Sequence, residues 1–200
     1  MSTGINSAFV RERYQRMTDA EISDLAISDA TGLTPEAQQM IGEEIKRRGL
    51  NQALLMAVEV QNKENSPEVI AAICELIRAC KCPACGSDEQ RLNATEVGTV
   101  YSFILFTRHS KEIKVGCPDC LDQANRNAMM NTALFGWWGF PWGVLRTIQY
   151  LDLNAQAKKS NHAEEANATL FQFVVDHIGQ FAYLKDNPEI LQQVLTQVKP

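Results

Sequence analysis

The sequence predicts an α+β chain, mostly helical, with one small three-stranded antiparallel sheet. Three observations carry that expectation. Apolar residues recur at helical spacing through most of residues 7–79 and again after residue 120. One aromatic and β-branched run, Val100–Thr107, breaks the helical pattern and reads as a strand. Two Cys-Pro-x-Cys motifs flank it, Cys82-Pro-Ala-Cys85 and Cys117-Pro-Asp-Cys120.

The chain has 200 residues, 45% hydrophobic and 22% charged, which is the range of folded globular proteins. Composition divides it into a helical region over 1–79, a cysteine-bearing module over 80–122, an aromatic helical hairpin over 123–154, and a linker with C-terminal helices over 155–200. Net charge is −4 over 1–80, +1 over 81–150 and −2 over 151–200. No segment carries the basic stripe on which nucleic-acid affinity usually rests, so nucleic acid is a poorly favoured partner. The N-terminus lacks a basic start followed by an apolar stretch, and a reducing, cytoplasmic setting is expected.

The N-terminal helices are signposted by their caps. Thr18-Asp-Ala-Glu21 fits a capping box ahead of Ile22, Leu25 and Ala26. Thr34 before Pro35 fits an N-cap with Pro at the first helical position. That helix should stop at Gly49, after the cations Lys46, Arg47 and Arg48. A helix over Asn51–Val60 follows, then a polar loop from Gln61 to Asn65. Ser66-Pro67-Glu68 opens another helix, whose apolar residues nearly encircle it and predict burial; Cys74 lies in it as a small core residue. After the second cysteine pair, a helix reaches Phe135 and a short one covers Val144–Leu153. Asn154–Asn161 reads as a linker, Ala166–Ile178 as an amphipathic helix, and Asn187-Pro188-Glu189 as the start of a last helix.

The sheet is expected to comprise Arg91–Val97, Val100–Thr107 and Glu112–Val115, with turns at Gly98 and at His109-Ser110. Two cysteines separated by two residues can direct both sulfurs at one ion, and two such pairs complete the tetrahedron that zinc prefers. Cys82, Cys85, Cys117 and Cys120 are therefore the predicted ligands of one structural Zn2+. Gly86 permits the positive φ that the first turn needs. The 31 residues between Cys85 and Cys117 are long enough for a sheet that returns the chain to its start. A redox Cys-x-x-Cys and an iron–sulfur cluster are the alternatives. Cys80 is a possible substitute ligand. Four thiolates leave no open coordination position, which argues against catalysis by the metal.

All three tryptophans, Trp137, Trp138 and Trp142, fall within six residues, with Phe140 among them and glycines at 136, 139 and 143. The glycines and Pro141 interrupt the apolar stretch Ala128–Leu145, so a straight transmembrane helix is not expected. The aromatics can close the core against the sheet. They can also form an exposed tip that enters a membrane interface or a partner's groove.

The two Cys-Pro-x-Cys motifs, the strand region between them, Asn131 and Gly-Trp-Trp-Gly-x-Pro-Trp-Gly together resemble a group of bacterial zinc-ribbon proteins. The N-terminal segment Met17–Leu50, with its Leu-Thr-Pro-Glu-Ala and Lys-Arg-Arg-Gly-Leu, is similar to theirs. The resemblance spans roughly 14–155. It implies a zinc ribbon without an assigned activity, membrane-associated in some members. The long helical stretch over 51–79 departs from that pattern.

No phosphate-binding glycine loop, His-Glu-x-x-His or Gly-x-Ser-x-Gly occurs, and His109, His162 and His177 are widely spaced, so no enzyme and no small-molecule substrate is expected. The sequence points to a zinc-ribbon scaffold or adaptor that binds a protein partner or membrane surface through Trp137, Trp138, Phe140 and Trp142. The alternative is a nucleic-acid-binding ribbon, with Arg91, Arg108, Lys111 and Lys114 as a basic edge and Tyr101 or Phe103 as a stacking surface.

Overall fold

The computed structural model describes residues 7–62, 67–103, 106–184 and 188–197. The expected cap at Ser66, the helix opening at Asn187 and the strand residues Ile104 and Leu105 lie outside them. The chain groups into two compact units. One comprises Met1–Ile73 with Val174–Pro188, the other Cys74–Phe173 with Glu189–Pro200.

The first unit contains α1 (Ser7–Arg16), α2 (Asp19–Ser28), α3 (Pro35–Arg48), α4 (Ala53–Asn62) and α9 (Ile178–Leu184). Their ends follow the local chemistry of the sequence. Thr18 and Glu21 form the reciprocal capping box, Thr34 accepts from Ala37 N, and Gly49 closes α3 at φ 67°. Tyr14, Ile22, Ala26, Ile41, Ile45 and Leu54 make the core. Arg48 ties α3 to the end of α1 by donating to the carbonyls of Tyr14, Gln15 and Met17, and Glu44 holds both Arg48 and Arg47.

The second unit is a β hairpin covered by helices. β1 (Asn93–Phe103) and β2 (Phe106–Gly116) pair antiparallel from Asn93↔Gly116 to Phe103↔Phe106. Against them lie α6 (Pro118–Phe135) and α7 (Trp142–Lys159). α5 (Pro67–Arg78) and α8 (Ala168–Asp176) cross the division between units, and α10 (Pro188–Gln197) ends the described chain.

The α+β class stands, but the sheet has two strands rather than the expected three. Gly98 and His109-Ser110 are not turns: Gly98 pairs with Lys111, Thr99 with Ser110 and Val100 with His109. The outer edge of β1 is bonded by side chains instead of a third strand. Asn167 Nδ2 donates to Ala94 O (2.7 Å) and Asn125 Nδ2 to Glu96 O (3.1 Å). Asn154 accepts from Gly98 N (3.2 Å) and donates to Gly98 O (2.7 Å), while Val100 N donates to Thr132 Oγ1 (3.2 Å). Buried backbone groups must find partners, and here side chains of α6, α7 and the residue ahead of α8 supply them.

Three further expectations change. Asn154–Lys159 belongs to α7 rather than to a linker, because Asn154 is wholly buried on the β1 edge. α5 is amphipathic rather than buried all round: Ile70, Ile73, Cys74 and Ile77 are buried, whereas Val69 and Leu76 are exposed. The helix expected over Ala166–Ile178 ends at Asp176, and α9 begins at Ile178.

Candidate metal centre and aromatic tip

The open end of the hairpin gathers the cysteines. Cys82 lies just beyond α5, and its turn is closed by Gly86 N donating to Cys82 O (2.8 Å), with Gly86 at φ 76°. Pairing of Asn93 with Gly116 returns the chain to that turn, and Cys117 caps α6 with Pro118 at its first position. Cys120 therefore sits in the first helical turn, where the helix dipole favours negative charge. The four sulfurs all lie within 4.8 Å of one another. Leu92 is buried against Cys82 and Cys117, and Cys85 is exposed at the rim.

A tetrahedron with metal–sulfur bonds of ~2.3 Å has sulfur–sulfur edges of about 3.8 Å. Cys85 and Cys117 are already 3.8 Å apart, far beyond a disulfide bond. Burial pushes the Cys82 thiol up, but amides of Cys117, Cys85 and Ala84 donating toward its sulfur outweigh that and bring it down to about 7. Burial raises both Cys117 and Cys120, and for Cys120 the neighbouring sulfurs add to the rise. Four thiolates packed this closely repel one another unless a cation sits among them. The donor set thus fits a thiophilic metal ion, with all four predicted ligands together. Cys80 is not part of the group; its sulfur donates to Leu76 O (3.4 Å).

The closed end of the hairpin carries the aromatic residues. A Cβ at Gly139 or Gly143 would strike Ser102 Oγ, and one at Gly136 would strike Thr147. Gly139 and Gly143 of the Gly-Trp-Trp-Gly-x-Pro-Trp-Gly motif therefore let the α6–α7 connection press onto the hairpin, over the Ser102–Thr107 hydroxyl pair, and Gly136 lets α7 close on the end of α6. The Phe140–Pro141 peptide is cis. The large side chains face outward: Phe140 is 91% exposed, Trp138 and Trp142 68%, Trp137 42%. Core closure by these rings, one of the two expectations for them, does not occur. With about 3.3 Å of rise per strand residue, the metal and aromatic ends are roughly 30 Å apart.

No protein-family model, curated protein or solved structure matches the chain. The likeness to bacterial zinc-ribbon proteins thus rests on sequence motifs alone.

Other residues singled out by sequence are dispersed or neutralised. Of the proposed basic edge, Arg91 pairs with Glu75, Lys111 with Glu96 (2.8 Å) and Lys114 with Glu112 (2.6 Å). His109 packs edge-on to Tyr150, and His162 Nε2 lies 3.5 Å from Asp122. Sequence reasoning passed over Leu134, Leu145 and Ile148, which are exposed beside the tip. Leu145 and Ile148, three residues apart on α7, offered a signal that could have found them.

Proposed function

We propose that the chain is a non-catalytic docking module of the zinc-ribbon kind. In this reading one structural Zn2+ on Cys82, Cys85, Cys117 and Cys120 pins the open end of the hairpin. The closed end presents Trp137, Trp138, Phe140 and Trp142 to a partner surface, a protein or a membrane interface. Four sulfur donors around one ion leave no position for a substrate, which favours a structural over a catalytic metal. Two Cys-x-x-Cys pairs gathered as metal ligands rather than as disulfides accord with a reducing, cytoplasmic setting. Among the described residues no helix is long and apolar enough to cross a membrane.

The observation that carries the reading is the division of labour at the tip. Glycine fills the contact with the hairpin, while the largest apolar side chains point to solvent, an arrangement that otherwise invites aggregation. The test replaces Trp138, Phe140 and Trp142 together by Ser and follows metal content, circular dichroism and fractionation of the chain from its own cells. The variant should stay folded, bind one metal ion and migrate as the free chain, while the parent migrates with a larger assembly or a membrane pellet. An unfolded or metal-free variant, or one that fractionates like the parent, defeats the reading.

A further inference from the structure

The charge around the tip is one-sided. Between Glu96 and Glu112, and again between Asp122 and Asp152, the sequence has no Asp or Glu, although the chain as a whole carries a net charge of −5. These two stretches build the closed end of the hairpin and the α6–α7 connection. The charged side chains they contain are Arg108, Lys111, Arg126 and Arg146. Lys111 is neutralised by Glu96, whereas Arg108, Arg126 and Arg146 are exposed. Arg146 spends one donor on Gln149 (3.2 Å).

Several backbone carbonyls at the tip find partners within the tip itself. The last carbonyls of a helix have no partner within it. Here Thr132 O accepts from Gly136 N (2.8 Å), Ala133 O from the Trp137 indole (2.8 Å) and Leu134 O from the Trp138 indole (3.3 Å). Gly143 N donates to Gly139 O. Water would satisfy these carbonyls at an exposed helix end without help from indoles. Internal partners matter where water is excluded, because an unbonded peptide group in hydrocarbon is costly. Two of the indoles have meanwhile given up the N–H that an interfacial tryptophan keeps for water.

We propose that the partner is the surface of an anionic lipid bilayer, into which the tip inserts from the side of the head groups. The inference rests on the docking reading above and names its occupant. Phe140, Trp138 and Trp142 enter the boundary of the acyl region, with Leu145 and Ile148 following on α7. Arg108 and Arg146 meet lipid phosphates and carboxylates, and the cysteine end stays about 30 Å away in water. A single-stranded nucleic acid fits less well. Leu134, Leu145 and Ile148 offer no stacking face, and three cations of the basic edge are already paired with carboxylates.

The test uses the metal-loaded full chain with vesicles of phosphatidylcholine alone and of phosphatidylcholine with phosphatidylserine. Binding is read by co-sedimentation, and insertion by a blue shift of tryptophan emission and its quenching by bromine-labelled acyl chains. Binding to the anionic vesicles should weaken about twenty-five-fold in the Arg108→Gln/Arg146→Gln variant, from roughly five-fold per basic residue at such a surface. It should vanish in the Trp138→Ser/Phe140→Ser/Trp142→Ser variant at unchanged metal content. Three results overturn the inference: no binding to anionic vesicles, equal binding to both vesicle types, or tip-dependent binding of a single-stranded oligonucleotide without binding to vesicles. If the Ser variant changes fractionation in cells while vesicles do not bind, the docking module stands and only its lipid partner falls.

Discussion

Asn154 shows how much a single buried amide does in the second unit. It joins both backbone groups of Gly98 and also donates to Tyr150 O (2.7 Å). Replacement by Ala leaves Gly98 N and O without partners in the core, at about 3 kcal/mol. Denaturant unfolding of Asn154→Ala should show that loss, and a change below about 1 kcal/mol would mean water replaces the side chain there. Asp cannot rescue, because it keeps the acceptor but loses both donors and brings in a buried charge. In the first unit the corresponding anchor is ionic. The hydrogen bond from Arg47 holds the Glu44 carboxyl down to about 2 against the effect of burial, with Arg48 adding to it, from an ordinary value of 4.5. Because the folded value is the lower one, the stabilisation is complete above pH 4.5 and disappears as pH falls toward 2. Glu44→Gln should therefore flatten the acid limb of the stability profile between those values. An unchanged limb would show that the ion pairs contribute nothing there.

At the scale of elements, the contact between the α6–α7 connection and the hairpin tests which residues do the packing. Gly139→Ala pushes a methyl group into Ser102 Oγ and Thr107 Oγ1, and should destabilise by about 2 kcal/mol. Phe140→Ser removes a far larger group yet should change stability by less than about 0.5 kcal/mol, as for an exposed position. The reverse order in thermal unfolding would show that the ring, not the glycine, is structural. This contact also marks where sequence stopped being informative. Caps such as Thr18, Thr34 and Gly49 are local, so their neighbours in sequence identify them. The cysteine pairs are legible for the same reason, since each half of the site lies within four residues. The third strand was misplaced because its substitutes, Asn125 and Asn154 on helices and Asn167 just ahead of α8, lie 29 to 73 residues away from their partners. No periodicity announces an asparagine that serves as a strand. The outward orientation of the tryptophans was hidden likewise, because composition reveals an aromatic cluster but not which side of it is glycine.

Across the whole molecule, the cysteine cluster belongs to the second unit, and the buried cluster of the N-terminal helices contains none of its ligands. Tyr14, Ile22, Ile41 and Ile45 pack together without any sulfur ligand, whereas Leu92 and Val115 pack directly on Cys82, Cys117 and Cys120. A bound metal supplies folding free energy only to the unit that holds its ligands, on the order of 10 kcal/mol in small zinc modules. Within that unit the effect should fade with distance along the hairpin, because the β1–β2 ladder and the Asn125, Asn154 and Asn167 bonds remain when the metal is gone. Hydrogen exchange before and after chelation should therefore show a gradient. Amides of 82–92 and 115–122 should lose protection first, those of 98–103 and 145–155 should keep most of theirs, and those of 20–28 and 36–48 should not change. Uniform loss over the whole chain would mean that the two units fold as one cooperative body. No loss anywhere would mean that the cysteines hold no metal of structural consequence.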